Sequence, residues 1–202
     1  MDMPVPAATE TARHGLQARL TPDLGGRCVV FVGMMGAGKT SVGKRVAGLL
    51  NLPFIDADAA IEEAAGMSIP EIFAAHGETH FRDGERRVIQ RLLASGQKVL
   101  ATGGGAFMNA DTRAAIGKAG ISIWLKADFD LLMKRVRRRV NRPMLQTPDP
   151  EATLRKLIED RYPTYALADV TVISLDTPQE AMAEAVVLAL QAHLQAKEGA
   201  AA

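Results

Sequence analysis

Short apolar runs alternate along this chain with longer segments whose apolar residues recur at helical spacing. The short runs are rich in branched residues and lack polar alternation, which is typical of strands buried on both faces. We predict strands at Cys28–Val32, Pro53–Ile55, Val99–Ala101, Ile121–Leu125 and Val170–Ile173. Strands that alternate with helices indicate βαβ units, so we expect an α/β fold with a parallel sheet and helices on both of its faces.

Several helix starts can be predicted from capping signals. Ser68 followed by Glu71 fits a capping box, and Asp149 before Pro150 fits an N-cap with proline at the first helical position. A glycine inside a helix costs about 1 kcal/mol relative to alanine. Gly84 lies two residues after Arg82, so we expect the helix around Arg82 to begin late.

The composition is that of one globular domain without a strong overall charge. The 202 residues are 48% hydrophobic and carry a net charge of +1, which gives no general attraction to nucleic acid or to a membrane surface. Cys28 is the only cysteine, so a disulfide framework is excluded. No apolar stretch is long enough to span a bilayer and no secretory signal is evident, so we expect a cytoplasmic protein.

The chain ends differ from its centre. Residues 1–25 are alanine-rich and punctuated by proline and glycine, and we expect a flexible N-terminal extension there. The compact domain is predicted over residues 26–196. Residues 197–202 are expected to form a flexible, frayed tail.

A phosphate-binding motif follows the first strand directly. Residues 33–41 have the sequence GMMGAGKTS and fit the pattern G-x-x-x-x-G-K-[ST]. Glycines allow backbone N–H groups to surround phosphate oxygens, and the following helix directs its positive end to the same place. The lysine can reach the β- and γ-phosphates, and the threonine hydroxyl can bind Mg²⁺. The motif predicts ATP binding by Gly36, Ala37, Gly38, Lys39, Thr40 and Ser41.

Two aspartates follow the second strand, where ligands of open α/β sheets gather. Asp56 could help to hold a metal ion, directly or through water, and Asp58 could accept a hydrogen bond from a substrate hydroxyl. The alternative for Asp58 is that it only caps the next helix.

Other polar groups stand at comparable places further along the chain. Arg82 and Arg161 could each bind a carboxylate in bidentate fashion, although both could also be ordinary surface arginines. The glycines of Thr102–Gly105 allow a ligand to approach the backbone closely, and the alternative is a plain flexible turn. Some residues of the basic segment 134–143 could form a solvated helix face, and the segment lacks the interleaved aromatics of a nucleic-acid site. We interpret residues 139–150 as a lid that closes over ATP.

The order and spacing of these motifs resemble those of the shikimate kinase family. The matching tracts are GMMGAGKT, FIDAD, SIPEIF, FRDGE, TGGG, RPML and RYPTY, spread over roughly residues 27–195. The resemblance implies a P-loop three-layer sandwich with five parallel strands. It also implies transfer of the γ-phosphoryl group of ATP to the 3-hydroxyl of shikimate, with Mg²⁺ as cofactor, in chorismate and aromatic amino-acid biosynthesis.

The resemblance also assigns roles to individual residues. It implies that Asp58, Lys39 and Arg142 are catalytic, that ATP is bound by the phosphate loop together with Arg135 and Arg142, and that Thr40 and Asp56 surround the metal. The residues implied for shikimate are Asp58, Arg82, Gly103, Gly104, Gly105 and Arg161. Glu85 is expected to orient Arg82. We expect a monomer whose partners are ATP and shikimate, without nucleic acid or membrane.

Two other functions remain open from the sequence. One is another P-loop small-molecule kinase, such as a gluconate kinase, against which the arginine pair and the TGGG tract argue. The other is a non-catalytic regulator that binds nucleotide and contacts a partner through residues 1–25. The complete set Lys39, Thr40, Asp58 and Arg142 argues against the regulator, because binding alone does not need it.

Overall fold

A computed structural model describes residues 24–137 and 148–201 of the chain. Five strands form one sheet: β1 (Cys28–Val32), β2 (Phe54–Asp56), β3 (Val99–Ala101), β4 (Gly120–Lys126) and β5 (Val170–Ile173). They lie in the order β2-β3-β1-β4-β5, and every neighbouring pair is parallel. The predicted bounds of β1, β3 and β5 are confirmed, β2 begins one residue later than predicted, and β4 is longer at both ends.

Seven helices and one 3₁₀ turn connect and flank these strands within the described residues. The helices are α1 (Lys39–Leu50), α2 (Ala57–Ala65), α3 (Ile69–Ala94), α4 (Ala110–Ala119), α5 (Phe129–Arg137), α6 (Pro150–Tyr165) and α7 (Gln179–Ala201). The 3₁₀ turn is Ala106–Met108. None of these helices is long and apolar enough to cross a membrane.

The strand order explains why helices cover both faces of the sheet. The crossover from β1 to β2 leads toward one edge of the sheet. The successive crossovers β2 to β3, β3 to β4 and β4 to β5 all lead toward the other edge. Because such crossovers are right-handed, helices of opposite direction lie on opposite faces. Accordingly, α1 packs against α7, while α3 packs against α2 and α4. The result is the expected three-layer sandwich, with the wholly buried β1 at its centre.

The helix that carries Arg82 differs from its prediction. Residues 69–94 form a helical segment interrupted at Gly77, whose φ of 77° and ψ of 174° are not helical. The second part begins after Gly77, so Arg82 and Gly84 lie well inside a regular helix, and the predicted late start is wrong. Gly77 lies seven residues before Gly84 in the same segment and takes the positive φ, which favours glycine.

Both predicted capping signals around helix starts are confirmed. Glu71 Oε2 accepts hydrogen bonds from the Ser68 backbone N–H at 2.8 Å and from its hydroxyl at 2.6 Å. Asp149 Oδ1 accepts from the N–H of Ala152 at 2.9 Å, and α6 begins at Pro150. Residues 149–150 of the predicted lid therefore start a helix.

Some predictions fall at the ends of the chain or between the described ranges. Leu24 is fully buried in the core, so packing begins inside the predicted extension, whose other residues up to 23 lie outside the described part. Arg142 and most of the predicted lid fall within 138–147, also outside the described residues. At the other end, α7 continues to Ala201, so residues 197–201 are helical where a frayed tail was expected.

Candidate active site

The phosphate loop joins β1 to α1 at the centre of the sheet edge. Gly38 is the N-cap of α1 and has a φ of 99°, a conformation that favours glycine. Lys39 Nζ donates to the carbonyl oxygens of Gly33 at 2.8 Å and Met34 at 2.9 Å, so the ammonium lies against the loop itself. The first turn of α1 itself contains no acidic residue.

Thr40 and Asp56 come together although they are sixteen residues apart. The Thr40 hydroxyl donates to Asp56 Oδ2 at 2.7 Å. The other carboxylate oxygen, Oδ1, accepts the backbone N–H of Asp58 at 3.1 Å, which makes Asp56 the N-cap of α2. The alternative role for Asp58 as the helix cap is therefore wrong, because Asp56 performs it. Hydroxyl and carboxylate oxygens are ligands that suit Mg²⁺.

Arg135 lies beside the phosphate loop on the other side. Its Nη1 is 3.3 Å from the carbonyl oxygen of Ala37, and its Nη2 donates to the carbonyl of Leu175 at 2.7 Å. Ser174 connects the two, because its hydroxyl donates to the Ala37 carbonyl at 3.0 Å and lies 3.0 Å from Arg135 Nη1. Sequence reasoning missed Ser174. Its position directly after β5, at the carboxyl edge of the sheet, is the signal that could have found it.

Acidic and basic side chains from distant segments converge around the glycines after β3. A Cβ atom added to Gly103 would lie 2.7 Å from Asp58 Oδ1 and 2.9 Å from Glu85 Oε1. A Cβ added to Gly105 would lie 2.5 Å from Nη1 of Arg82. At distances below 3.0 Å these carboxylate and guanidinium ends would have to move to admit a side chain. Glycine at both positions thus leaves space for the charged groups, and neither glycine has a positive φ.

Arg82 is held by two carboxylates of its own helix. Its Nη1 donates to Glu85 Oε2 at 2.9 Å, and its Nη2 donates to Glu78 Oε1 at 3.1 Å. Burial lowers the pKa of Arg82, but the hydrogen bond and charge of Glu85, together with those of Glu78, raise it above its usual value overall. Arg82 is therefore a permanent cation in a fixed orientation. Glu85 contributes to that orientation, as expected from the sequence.

Glu85 is itself almost completely buried. Burial raises the pKa of Glu85, the bond to Arg82 opposes the rise, and the nearby charge of Asp58 adds to it. Two carboxylates that lie close together in a partly dry site disfavour each other's charge. Glu85 thus forms an ion pair with Arg82 on one side and is repelled by the charge of Asp58 on the other.

Arg161 reaches the same place from α6. Only 8% of Arg161 is exposed, which contradicts the alternative of an ordinary surface arginine. Its Nη1 donates to the carbonyl oxygen of Gly104 at 3.2 Å. A Cβ on Gly104 would lie 3.6 Å from both the carbonyl oxygen of Gly33 and the backbone nitrogen of Met35. The glycines therefore link the two arginines to the phosphate loop.

The structure brings together most of the residues predicted for the site. Asp58, Arg82, Arg161 and the glycine tract form one cluster, and the phosphate loop adjoins it through Gly104. Arg142 lies outside the described residues. Among residues 24–137 and 148–201, no cluster of three His, Cys, Asp or Glu side chains could hold a metal ion. A cation at Thr40 and Asp56 would need further ligands from phosphate or water.

Comparisons with known proteins indicate one family. The family model described as "Shikimate kinase" matches residues 35–191. A shikimate kinase of Bradyrhizobium diazoefficiens is 55% identical over 184 residues, which cover 91% of this chain and 89% of that protein. One of Rhodopseudomonas palustris is 54% identical over 194 residues, covering 96% of this chain and 95% of that protein.

A solved structure shows the same relationship in three dimensions. The shikimate kinase from Acinetobacter baumannii in complex with shikimate superposes with a TM-score of 0.80 at 36% identity. The match covers 85% of this chain and 96% of that one.

Proposed function

Because the chain belongs to the shikimate kinase family and is an ATP-dependent phosphotransferase acting on shikimate, we propose how its residues divide the reaction. The products are shikimate 3-phosphate and ADP, in the biosynthesis of chorismate and the aromatic amino acids. One group of residues holds the nucleotide and a second group holds the acceptor. The convergence of Asp58, Arg82 and Arg161 on glycines that adjoin the phosphate loop is the observation that carries this division.

The nucleotide group consists of the phosphate loop and its neighbours. Backbone N–H groups of residues 36–41 surround the phosphates, and Lys39 leaves its loop carbonyls to bind the β- and γ-phosphates. Arg135 stays beside the loop, where it can pack against the adenine. Arg142 approaches the γ-phosphate from the lid in this proposal, and it shares with Lys39 the neutralisation of charge that develops there.

Magnesium fits the paired oxygens of Thr40 and Asp56. The hydroxyl and carboxylate lie 2.7 Å apart, and both are hard oxygen donors. Thr40 would bind the ion directly and Asp56 through water. A bound Mg²⁺ supplies charge neutralisation at the β- and γ-phosphate oxygens.

The acceptor group is built to hold a small carboxylic acid with hydroxyls. Arg82 and Arg161 bind the shikimate carboxylate, and burial of Arg161 strengthens that contact by excluding water. Gly103, Gly104 and Gly105 line the pocket without side chains, and the Gly104 N–H is a backbone donor. Asp58 accepts a hydrogen bond from the 3-hydroxyl and aligns it with the γ-phosphate.

The chemistry asks little of a general base. Phosphoryl transfer passes through a loose transition state, so positioning and charge stabilisation supply most of the catalysis. Asp58 therefore orients the hydroxyl and accepts its proton as the new bond forms. The oxygen of shikimate replaces the bridging oxygen at the γ-phosphorus, and ADP leaves with the electron pair.

We test the acceptor by ADP release from Mg-ATP with shikimate, with gluconate and without an acceptor. We expect ADP only with shikimate. ADP with gluconate would indicate the related kinase instead, and ADP without acceptor would indicate an ATPase. Binding of both ATP and shikimate without turnover would favour the non-catalytic regulator.

The role of Asp58 is tested by Asp58→Asn, which preserves shape and removes the charge. We expect kcat to fall by about 10²-fold, because the shikimate hydroxyl loses its alignment with the γ-phosphate and misplacing a reacting group by about 1 Å can cost that much. The KM for ATP should change little. Nearly full turnover by the variant would remove Asp58 from catalysis.

The monomeric state and the cytoplasmic location expected from the sequence stay predictions.

A further inference from the structure

A tyrosine at the end of α6 contacts the glycine tract from behind. The Tyr165 side chain is fully buried, and its hydroxyl donates a hydrogen bond to the carbonyl oxygen of Gly104. The same hydroxyl lies 4.0 Å from the sulfur of Met34 in the phosphate loop. A buried phenol needs a polar partner, and here the partner belongs to the acceptor pocket rather than to the core.

The Gly104 carbonyl accepts two donors at once. Arg161 Nη1 also donates to this oxygen, at 3.2 Å. Arg161 and Tyr165 are four residues apart on one helix, so they lie one above the other on the same face. A carbonyl oxygen has two lone pairs, and these two side chains occupy both.

Fixing the Gly104 carbonyl also fixes the direction of the Gly105 N–H in the same peptide unit. The peptide unit between Gly104 and Gly105 is planar and trans, so the Gly105 N–H points opposite to the Gly104 carbonyl. Three consecutive glycines would otherwise leave the tract free to rotate. The hydrogen bonds from Tyr165 and Arg161 to the Gly104 carbonyl thus fix the orientation of the glycine tract. The same carbonyl also holds one nitrogen of the Arg161 guanidinium in place.

We propose that Tyr165 is a positioning residue for the acceptor, whose hydroxyl holds the Gly104 carbonyl and Arg161 in the geometry that receives the carboxylate of shikimate. This inference rests on the proposed roles of Arg161 and the glycine tract. Tyr165 is fully buried and so has no exposed surface for contact with the substrate. It acts through the carbonyl, and its contact with Met34 ties the acceptor pocket to the nucleotide loop.

The protonation state of the phenol supports this role. Burial raises the pKa of Tyr165, and the charge and hydrogen bonding of Arg161 oppose the rise without cancelling it. The hydroxyl therefore keeps its proton and remains a donor over the working pH range.

Tyr162 provides a matched control on the same helix. Its hydroxyl also donates to a backbone carbonyl, that of Ala127 between β4 and α5. Its ring packs edge-on against Trp124, with centroids 5.0 Å apart. Tyr162→Phe and Tyr165→Phe each remove one hydroxyl from α6 and one bond to a carbonyl, but only the second affects the glycine tract.

The experiment measures steady-state kinetics and shikimate binding for both variants. For Tyr165→Phe we expect the KM for shikimate to rise about three- to tenfold, the effect of one lost hydrogen bond, while the KM for ATP stays within about twofold. Calorimetric titration of shikimate without nucleotide should show the same loss. Tyr162→Phe should change neither the KM nor the Kd for shikimate.

A double-mutant cycle with Arg161→Lys distinguishes action through the shared carbonyl from general packing. If both side chains act through Gly104, the two effects on shikimate binding are not additive. Additive effects, an unchanged KM for shikimate in Tyr165→Phe, or equal losses for ATP and shikimate would each overturn the inference. Failure of the wild-type protein to phosphorylate shikimate would instead overturn the proposed function, so the two failures are distinguishable.

Discussion

The proposed nucleotide group and acceptor group, which form the nucleotide half and the acceptor half of the site, are built in different ways. The nucleotide half is mostly one continuous segment, Gly33–Ser41, which presents backbone groups and one lysine. The acceptor half gathers Asp58, Arg82, Glu85 and Arg161 around a glycine tract from segments that are far apart in sequence. Local sequence can build the first half, whereas the second exists only when the sheet and its helices are assembled.

The two halves also use charge differently. In the nucleotide half, Lys39 rests on backbone carbonyls that it can exchange for phosphate oxygens. In the acceptor half, Arg82 is paired with Glu85, and Arg161 is buried against a carbonyl before any substrate arrives. Such preorganisation reduces the free-energy cost of ordering on binding. It also makes the acceptor half sensitive to small changes of shape.

The largest effect should come from the nucleotide half. Lys39→Ala removes the ammonium that neutralises charge on the transferring phosphoryl group, and we expect kcat to fall by about 10²–10³-fold. Coupled ADP release with saturating shikimate measures it. Lys44→Ala is the control, because Lys44 lies exposed on the same helix and should leave turnover unchanged. If Lys39→Ala keeps most of its turnover, the phosphate loop does not act through this lysine.

A steric change in the acceptor half should have the next largest effect. In Gly103→Ala the new methyl group would meet Asp58 and Glu85 below 3.0 Å, so both carboxylates must move. We expect kcat/KM for shikimate to fall about tenfold or more, since misplacing catalytic groups by 1 Å can cost about 10²-fold. The KM for ATP should change less.

Gly117→Ala is the matched control for this substitution. Gly117 lies within α4, and nothing stands within 4 Å of its added Cβ. The variant should keep wild-type kinetics and gain about 0.5–1 kcal/mol in free energy of unfolding, measured by chemical denaturation. Equal kinetic losses in the two alanine variants would show that the space around Gly103 is not what matters.

The smallest expected effect is a pH dependence confined to the acceptor half. The folded pKa of Glu85 is raised above 4.5, chiefly by burial, so the folded protein takes up this proton before the unfolded chain as the pH falls. Neutral Glu85 no longer holds Arg82 by charge. Between that folded pKa and 4.5, we expect the KM for shikimate to rise about two- to threefold on acidification, while this proton uptake favours the folded state.

Glu85→Gln isolates this contribution. Its KM for shikimate should be higher than that of the wild type near neutrality and should lack the part of the pH dependence due to Glu85. Difference profiles from pH 7.5 downward, with the KM for ATP followed in parallel, measure it. Identical profiles for wild type and variant would assign the titration to another group, such as Asp58.

Several parts of the site could be predicted from residue types and their spacing. The phosphate loop needs only a strand, glycines, a lysine and a following helix, and all of these are local. The contact of Thr40 with Asp56, which we propose as the metal-side pair, followed from the phosphate-loop motif and from the rule that ligands gather at the carboxyl edge of parallel strands. The prediction for the helix around Arg82 was wrong because it attributed the interruption of the helix to Gly84. The interruption occurs at Gly77 instead.

What the sequence alone determined is the set of strands and the phosphate loop, because these depend on short-range patterns and on residue chemistry. Only the tertiary structure decided that Asp56 rather than Asp58 caps α2, that Arg161 is buried, and that Tyr165 and Arg161 share the Gly104 carbonyl. The Asp56 cap is a local contact, but Arg161 and Tyr165 reach Gly104 across 57 and 61 residues. The geometry of these long-range contacts follows from strand order and helix packing, which no local pattern contains.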